Sequence, residues 1–77
     1  MTNEALSPTD MLVLDTERLH WRQAGAKLNR IHKLGLTETG YYQRLNRLLE
    51  DPAALAYAPM VVSRLWRVRE VRRARVL

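Results

Sequence analysis

The stretch from Lys27 to Leu49, KLNRIHKLGLTETGYYQRLNRLL, constrains the fold more tightly than any other part of the chain. Leu28, Ile31 and Leu34 step by three and therefore share one face of a helix. Gly35 stands where that helix must stop, because glycine enters the left-handed conformation without a Cβ clash. Thr37 can cap a second helix, its hydroxyl accepting from the unpaired N–H groups just downstream. Glu38 follows in the first turn, where the helix dipole favours an acid. Tyr41, Leu45 and Leu48 then give the second helix, Glu38 to Leu49, a buried stripe of its own. Helix, Gly35-Leu36-Thr37 turn and helix together read as a helix-turn-helix, a motif that needs a short connection to hold its helices near a right angle.

At about 100° per residue, the face opposite that stripe carries Thr39, Gln43, Asn46 and Arg47, with Tyr42 and Arg44 on its flanks. Amides can bond an adenine edge bidentately and a guanidinium can do so with guanine, each good pair giving roughly 1–3 kcal/mol of discrimination. The plainer alternative is that any helical hairpin needs a polar outer face, for which Gln, Asn and Arg are ordinary choices.

The flanking segments carry their own punctuation. Ser7-Pro8-Thr9-Asp10 starts a helix: Ser7 caps, Pro8 takes the first helical position where its missing N–H costs nothing, and Asp10 closes an acidic variant of the capping box. That helix is expected from Pro8 to Gln23, with Leu12, Leu14, Leu19 and Trp21 too scattered for one stripe. Ala24-Gly25-Ala26 is read as a break before a Lys27–Leu34 helix. Asp51 and Pro52 cap and open a short helix to Tyr57, and Pro59 ends it and opens the last one. Val61, Val62, Leu65, Trp66 and Val68 form the apolar arc of that last helix. Beyond Val68, Arg69, Arg72 and Arg73 take over the angles of Val62, Leu65 and Trp66, so the end of the helix is expected to leave the core as a basic arm. The reading is an all-α domain of four to five helices containing a helix-turn-helix, with no sheet: residues 1–7 disordered, 8–68 the folded body, 69–77 a basic end or tail.

Seventy-seven residues make one domain. A body this small buries only about 60% of its unfolded surface, so a ligand or a second copy would add stability. There is no cysteine, hence neither a disulfide framework nor a thiolate metal site, which suits a reducing cytoplasm. The opening MTNEALSPTD has no secretory pattern, and the uncharged run Pro52 to Ser63 is too short, with its prolines, to span a bilayer. Charge is uneven: Met1 to His20 carries four acids against Arg18, net −3, and the rest carries twelve cations against four acids, net +8, which together give +5. Eleven of the thirteen cations are arginine, the side chain that bonds phosphate bidentately, so a polyanionic partner is indicated. Simple solubility of a small domain is the competing explanation of that charge.

Enzymatic chemistry finds no foothold. His20 and His32 lie twelve apart without a Cys or a helically spaced carboxylate to complete a zinc set. Asp15 and Glu17 point to different sides of a helix, which suits partners such as Arg18, Arg22 or a basic residue of another helix better than paired acid–base work. No phosphate-cradling glycine loop or nucleophile elbow is present, and neither a cofactor nor a small-molecule substrate is expected.

The run Asp15-x-Glu17, Trp21-Arg22-x-Ala24-Gly25-Ala26-Lys27, Ile31, Gly35-Leu36-Thr37, Tyr41-Tyr42-Gln43-x-Leu45-Asn46-x-Leu48, Asp51-Pro52-x-Ala54-Leu55, Pro59-Met60-Val61-Val62-x-Arg64-Leu65-x-Arg67 resembles a family of short proteins of unassigned function from actinobacteria and their phages. Its members are commonly predicted to be helix-turn-helix DNA-binding proteins. The resemblance covers about Asp15 to Arg67, and its most specific part is the Tyr-Tyr-Gln-x-Leu-Asn string. This chain departs from it at Thr16, where Phe is usual, at His20, where an aromatic is usual, and at Leu28, where an acid is usual. The resemblance implies a fold and a ligand class, and no reaction.

These features lead to a double-stranded DNA-binding protein with its Glu38–Leu49 helix in the major groove. Thr39, Gln43, Asn46 and Arg47 would face the bases, and Lys27, Arg30, Lys33, Tyr42, Arg44, Arg64, Arg67, Arg69, Arg72 and Arg73 would meet the phosphates. Strong sequence discrimination would need a homodimer reading two half-sites. The alternative is a protein-interaction adaptor whose helix from Pro59 onward docks on an acidic host protein; RNA binding ranks third, because no RNA-module signature is present.

Overall fold

The computed structural model describes residues 6–19 and 21–76. Five helices follow one another, α1 (Pro8–Arg18), α2 (Ala24–Lys33), α3 (Glu38–Leu48), α4 (Pro52–Tyr57) and α5 (Pro59–Val76), with no strand among the described residues. The expected all-α, sheetless domain is the architecture found, in a body of 41 × 28 × 20 Å.

Local chemistry sets most of the helix ends. The Ser7 hydroxyl accepts from the Asp10 N–H at 3.0 Å, and the Ser7 N–H donates to the Asp10 carboxylate at 3.4 Å, closing the capping box of α1. Of the segment expected to be disordered, residues 1–5 lie outside the described residues; Leu6 is half-buried against the core and Ser7 is the cap. α1 ends at Arg18, not Gln23: Leu19 is extended, and the Trp21 indole N–H donates back to the Thr16 carbonyl at 2.9 Å, a return that a continuing helix does not permit. The break expected at Ala24-Gly25-Ala26 accordingly falls earlier, and those residues form the first turn of α2. His20 lies outside the described residues.

Between α2 and α3 the chain reverses as the glycine requires. Gly35 has φ +82°, the Leu36 N–H donates to the Ile31 carbonyl at 3.3 Å, and the Gly35 N–H donates to the His32 carbonyl at 2.9 Å. These bonds make a Schellman turn, and its usual apolar companion is present, since Ile31 lies in the core and half-buried Leu36 packs against it. Thr37 caps α3, accepting from the Gly40 N–H at 3.0 Å. Asp51 caps α4 through the Ala53 N–H at 2.9 Å.

The core gathers Val13 and Leu14 of α1, Ile31 of α2, Tyr41, Leu45 and Leu48 of α3 with Leu49, Ala54 of α4, Ala58, and Val61 and Val62 of α5. Each large apolar side chain buried there contributes about 1.5–3 kcal/mol. The stripe expected for α3 is buried and Leu34 packs against it; of the arc expected for α5, Val61 and Val62 are buried and Leu65 packs against them, whereas Trp66 and Val68 are exposed. α1 differs from expectation. Leu12 and Leu19 are 40% and 53% exposed, and the inward face is Val13, Leu14, Thr16 and Glu17. Thr16, standing where the resembling family has Phe, satisfies its buried hydroxyl by donating to the Leu12 carbonyl at 2.7 Å. Beyond Leu65, α5 runs along the body rather than into it: the Trp66 indole donates to the Leu49 carbonyl at 2.9 Å, while Val68 and Val71 face outward.

Candidate nucleic-acid interface

α3 presents Thr39, Gln43, Asn46 and Arg47 to solvent, opposite the buried Tyr41, Leu45 and Leu48. The Arg47 side chain is 69% exposed. Tyr42 stands at the edge of this face, its ring edge-on to Tyr41 at 5.0 Å. All four side chains expected to face bases are therefore within reach of a ligand approaching the outer side of α3.

The cations expected on phosphate divide into three groups. Lys27, Arg44, Arg64 and Arg69 have partners inside the protein. Lys27 Nζ lies 2.7 Å from Glu17, Arg44 donates to Asp10 at 2.8 Å, Arg64 to the Glu17 carbonyl at 2.6 Å, and Arg69 to Glu50 at 3.1 Å. Lys27 and Arg64 are thus engaged inside the protein, and Glu17 would be left buried with an unmet charge or carbonyl if either moved away. Arg69 likewise folds back instead of projecting as part of a basic arm. Arg30 is half-buried, its Nε without a hydrogen-bond partner among the described residues. Lys33, Arg67, Arg72 and Arg73 are exposed, Arg73 in a loose surface pair with Glu70 at 3.6 Å.

A shallow groove of about 280 Å³ between α3 and α5 brings Lys27, Tyr42, Asn46, Arg69 and Arg72 together over an apolar wall that includes Leu45, Leu65 and Val68. Asn46 thereby shares a depression with cations from two other helices, whereas Thr39, Gln43 and Arg47 stand outside it.

Two carboxylates from α1 fix this arrangement. Glu17 is only 6% exposed and lies between the Lys27 ammonium and the Tyr41 hydroxyl, which donates to it at 2.5 Å. Burial, then the hydrogen bond to Glu17, pushes the Tyr41 phenol far above its ordinary range, so it stays a donor. Burial alone would lower the Lys27 ammonium, but the Glu17 carboxylate beside it, and then Tyr42, hold it above its usual value. Lys27 also lies over the Tyr42 and Tyr41 rings, at 5.3 and 5.7 Å. At the other end of α1, burial would raise the Asp10 carboxyl, but bonds from Arg44 and Ser7 outweigh it and hold the group below 3.8. The same Asp10 oxygen that binds Arg44 is 3.9 Å from Arg47.

Sequence reasoning saw Asp10 only as a cap, and no local signal could have shown more, since Arg44 is 34 residues away. For Asp15 and Glu17 it expected basic partners, and the structure supplies Arg18 at 3.4 Å and Lys27. Tyr57 was missed: its hydroxyl donates to Asp15 at 3.0 Å, a bond that raises the phenol above its ordinary value, and Arg18 lies 5.5 Å over its ring. Among the described residues no three His, Cys, Asp or Glu side chains gather to hold a metal, and no helix is long and apolar enough to cross a membrane.

Fold and surface together define a small all-α domain with an exposed amide-and-arginine helix. The chain belongs to the family described as "Protein of unknown function (DUF3263)", which matches residues 5–76. No curated protein and no solved structure matches it.

Proposed function

We propose that this chain binds double-stranded DNA through a helix-turn-helix formed by α2, the Gly35 turn and α3, with α3 in the major groove. The observation that carries the reading is the outer face of α3, where Thr39, Gln43, Asn46 and Arg47 are all solvent-exposed while the opposite stripe is buried. Exposed Lys33, Arg67, Arg72 and Arg73 supply phosphate contacts, and Arg44 joins them by leaving Asp10. Phosphate contacts dominate the affinity, so the log–log salt slope is about −0.9 per neutralised phosphate. A single module of this kind covers roughly 600–1,000 Å², so sequence preference is slight unless a homodimer joins two half-sites. The resemblance to proteins of actinobacteria and their phages favours a cytoplasmic role in transcription regulation or DNA organisation.

Fluorescence anisotropy on several unrelated duplexes at two salt concentrations tests this. Binding to all of them, weakened by salt, is expected; no binding to any duplex at low salt would overturn it. One observation favours a second reading, a protein-interaction adaptor: Val68 and Val71 are exposed beside Arg67 and Arg72 on α5. Truncation after Val68 separates the two, since the DNA reading expects weaker duplex binding with a flatter salt slope, and the adaptor reading expects loss of a protein partner alone.

A further inference from the structure

Arg44 and Arg47 extend from neighbouring turns of α3 toward one oxygen of Asp10, at 2.8 and 3.9 Å. A carboxylate so placed presents to a guanidinium what a phosphate would present, an anionic oxygen at hydrogen-bonding distance. Asp10 is not free to follow the arginines outward. Its other oxygen accepts from the Ser7 N–H and its own N–H donates to the Ser7 hydroxyl, so the capping box anchors it to the start of α1. Its side chain is only 14% exposed, whereas Arg47 is 69% exposed and Arg44 30%. The flexible members of the cluster are the cations, and the fixed member is the anion.

We infer that Asp10 sets the strength of the DNA contact: it is an internal counter-anion for Arg44 and Arg47 that a DNA phosphate must displace, and that stays beside the bound phosphate and repels it. The inference rests on the DNA-binding reading of α3. In the free protein the Arg44–Asp10 pair is nearly neutral, so an approaching duplex meets less positive charge at this end of α3 than the sequence suggests. When Arg44 turns to a phosphate, the carboxylate remains in place, and two cations and one anion meet the backbone. Asp10 thus cancels about one cation's share of the attraction, and its effect is greatest at low salt.

The test uses full-length protein with Asp10→Asn and Asp10→Gln, both neutral and the second suited to the helix start, beside Ser7→Ala, which weakens the cap but keeps the carboxylate. Anisotropy of a labelled duplex is followed across a salt series, with far-UV circular dichroism to confirm helix content. The neutral variants are expected to bind about tenfold tighter at low salt, with a log–log slope steeper by about 0.9, while Ser7→Ala binds as the unaltered protein does. Neutral variants that are folded and bind no tighter than an unaltered protein which itself binds would overturn the role of Asp10 and leave the DNA reading intact. Failure of the unaltered protein and both neutral variants to bind any duplex would overturn the DNA reading and this inference with it.

Discussion

Asp10 and Glu17 are seven residues apart on α1, two helical turns, and so point the same way, yet they belong to different parts of the molecule's economy of charge. Glu17 sits inside, met by Lys27 of α2, the Tyr41 hydroxyl of α3 and, through its carbonyl, Arg64 of α5. Asp10 sits at the rim and meets arginines that also face solvent. Burial of the first leaves its partners no alternative; the arginines on the second reach solvent, Arg47 being 69% exposed, and on the DNA-binding reading they are exchangeable. Both carboxylates tie α1 to other helices, and the exposure of their partners is what separates them.

The sharpest break of that contrast is Glu17→Ala. It strands Lys27 and the Tyr41 hydroxyl and is expected to cost about 3 kcal/mol, seen as a melting temperature lower by roughly 10–20 °C; a drop no larger than that of Asp10→Asn would erase the distinction. Tyr41→Phe removes one donor to the same carboxylate while keeping the ring, with an expected loss of about 2 kcal/mol in urea titration. On the outer side, the DNA-binding reading expects Gln43→Ala combined with Arg47→Ala to weaken duplex binding about tenfold, roughly 1.4 kcal/mol, with the melting temperature nearly unchanged because both side chains are exposed. The smallest effect is a pH dependence. Because the folded-state pKa of Asp10 is depressed, its contribution is present above 3.8 and is lost as pH falls through the folded value. The melting-temperature gap between the unaltered protein and Asp10→Asn, worth about 0.5 kcal/mol near neutrality, should therefore close in acid and persist at pH 7.

Much of this architecture was legible in the sequence, because helix ends are local chemistry. Ser7 with Asp10, Gly35 with Thr37, Asp51 with Pro52, and Pro59 each act within a few residues, and α3, α4 and the start of α5 lie where those signals put them. The inner face of α1 was not legible, because Thr16 and Glu17 are buried on it and interrupt its apolar spacing. The early end of α1 escaped for a related reason: it depends on the Trp21 indole reaching the Thr16 carbonyl, and no capping residue announces it. Within the candidate site, exposure of Thr39, Gln43, Asn46 and Arg47 followed from helical phase alone. Which cations are occupied did not, since Lys27, Arg44, Arg64 and Arg69 find their partners across 10, 34, 47 and 19 residues of chain.

The two tryptophans, finally, give the protein a pair of native optical gauges. Trp21 is tied to the closing turn of α1 and Trp66 to the Leu49 carbonyl just past α3. A chain keeping only one indole would show, by its emission colour and without any attached dye, whether the end of the third rod or the tail of the first loosens when a duplex is added.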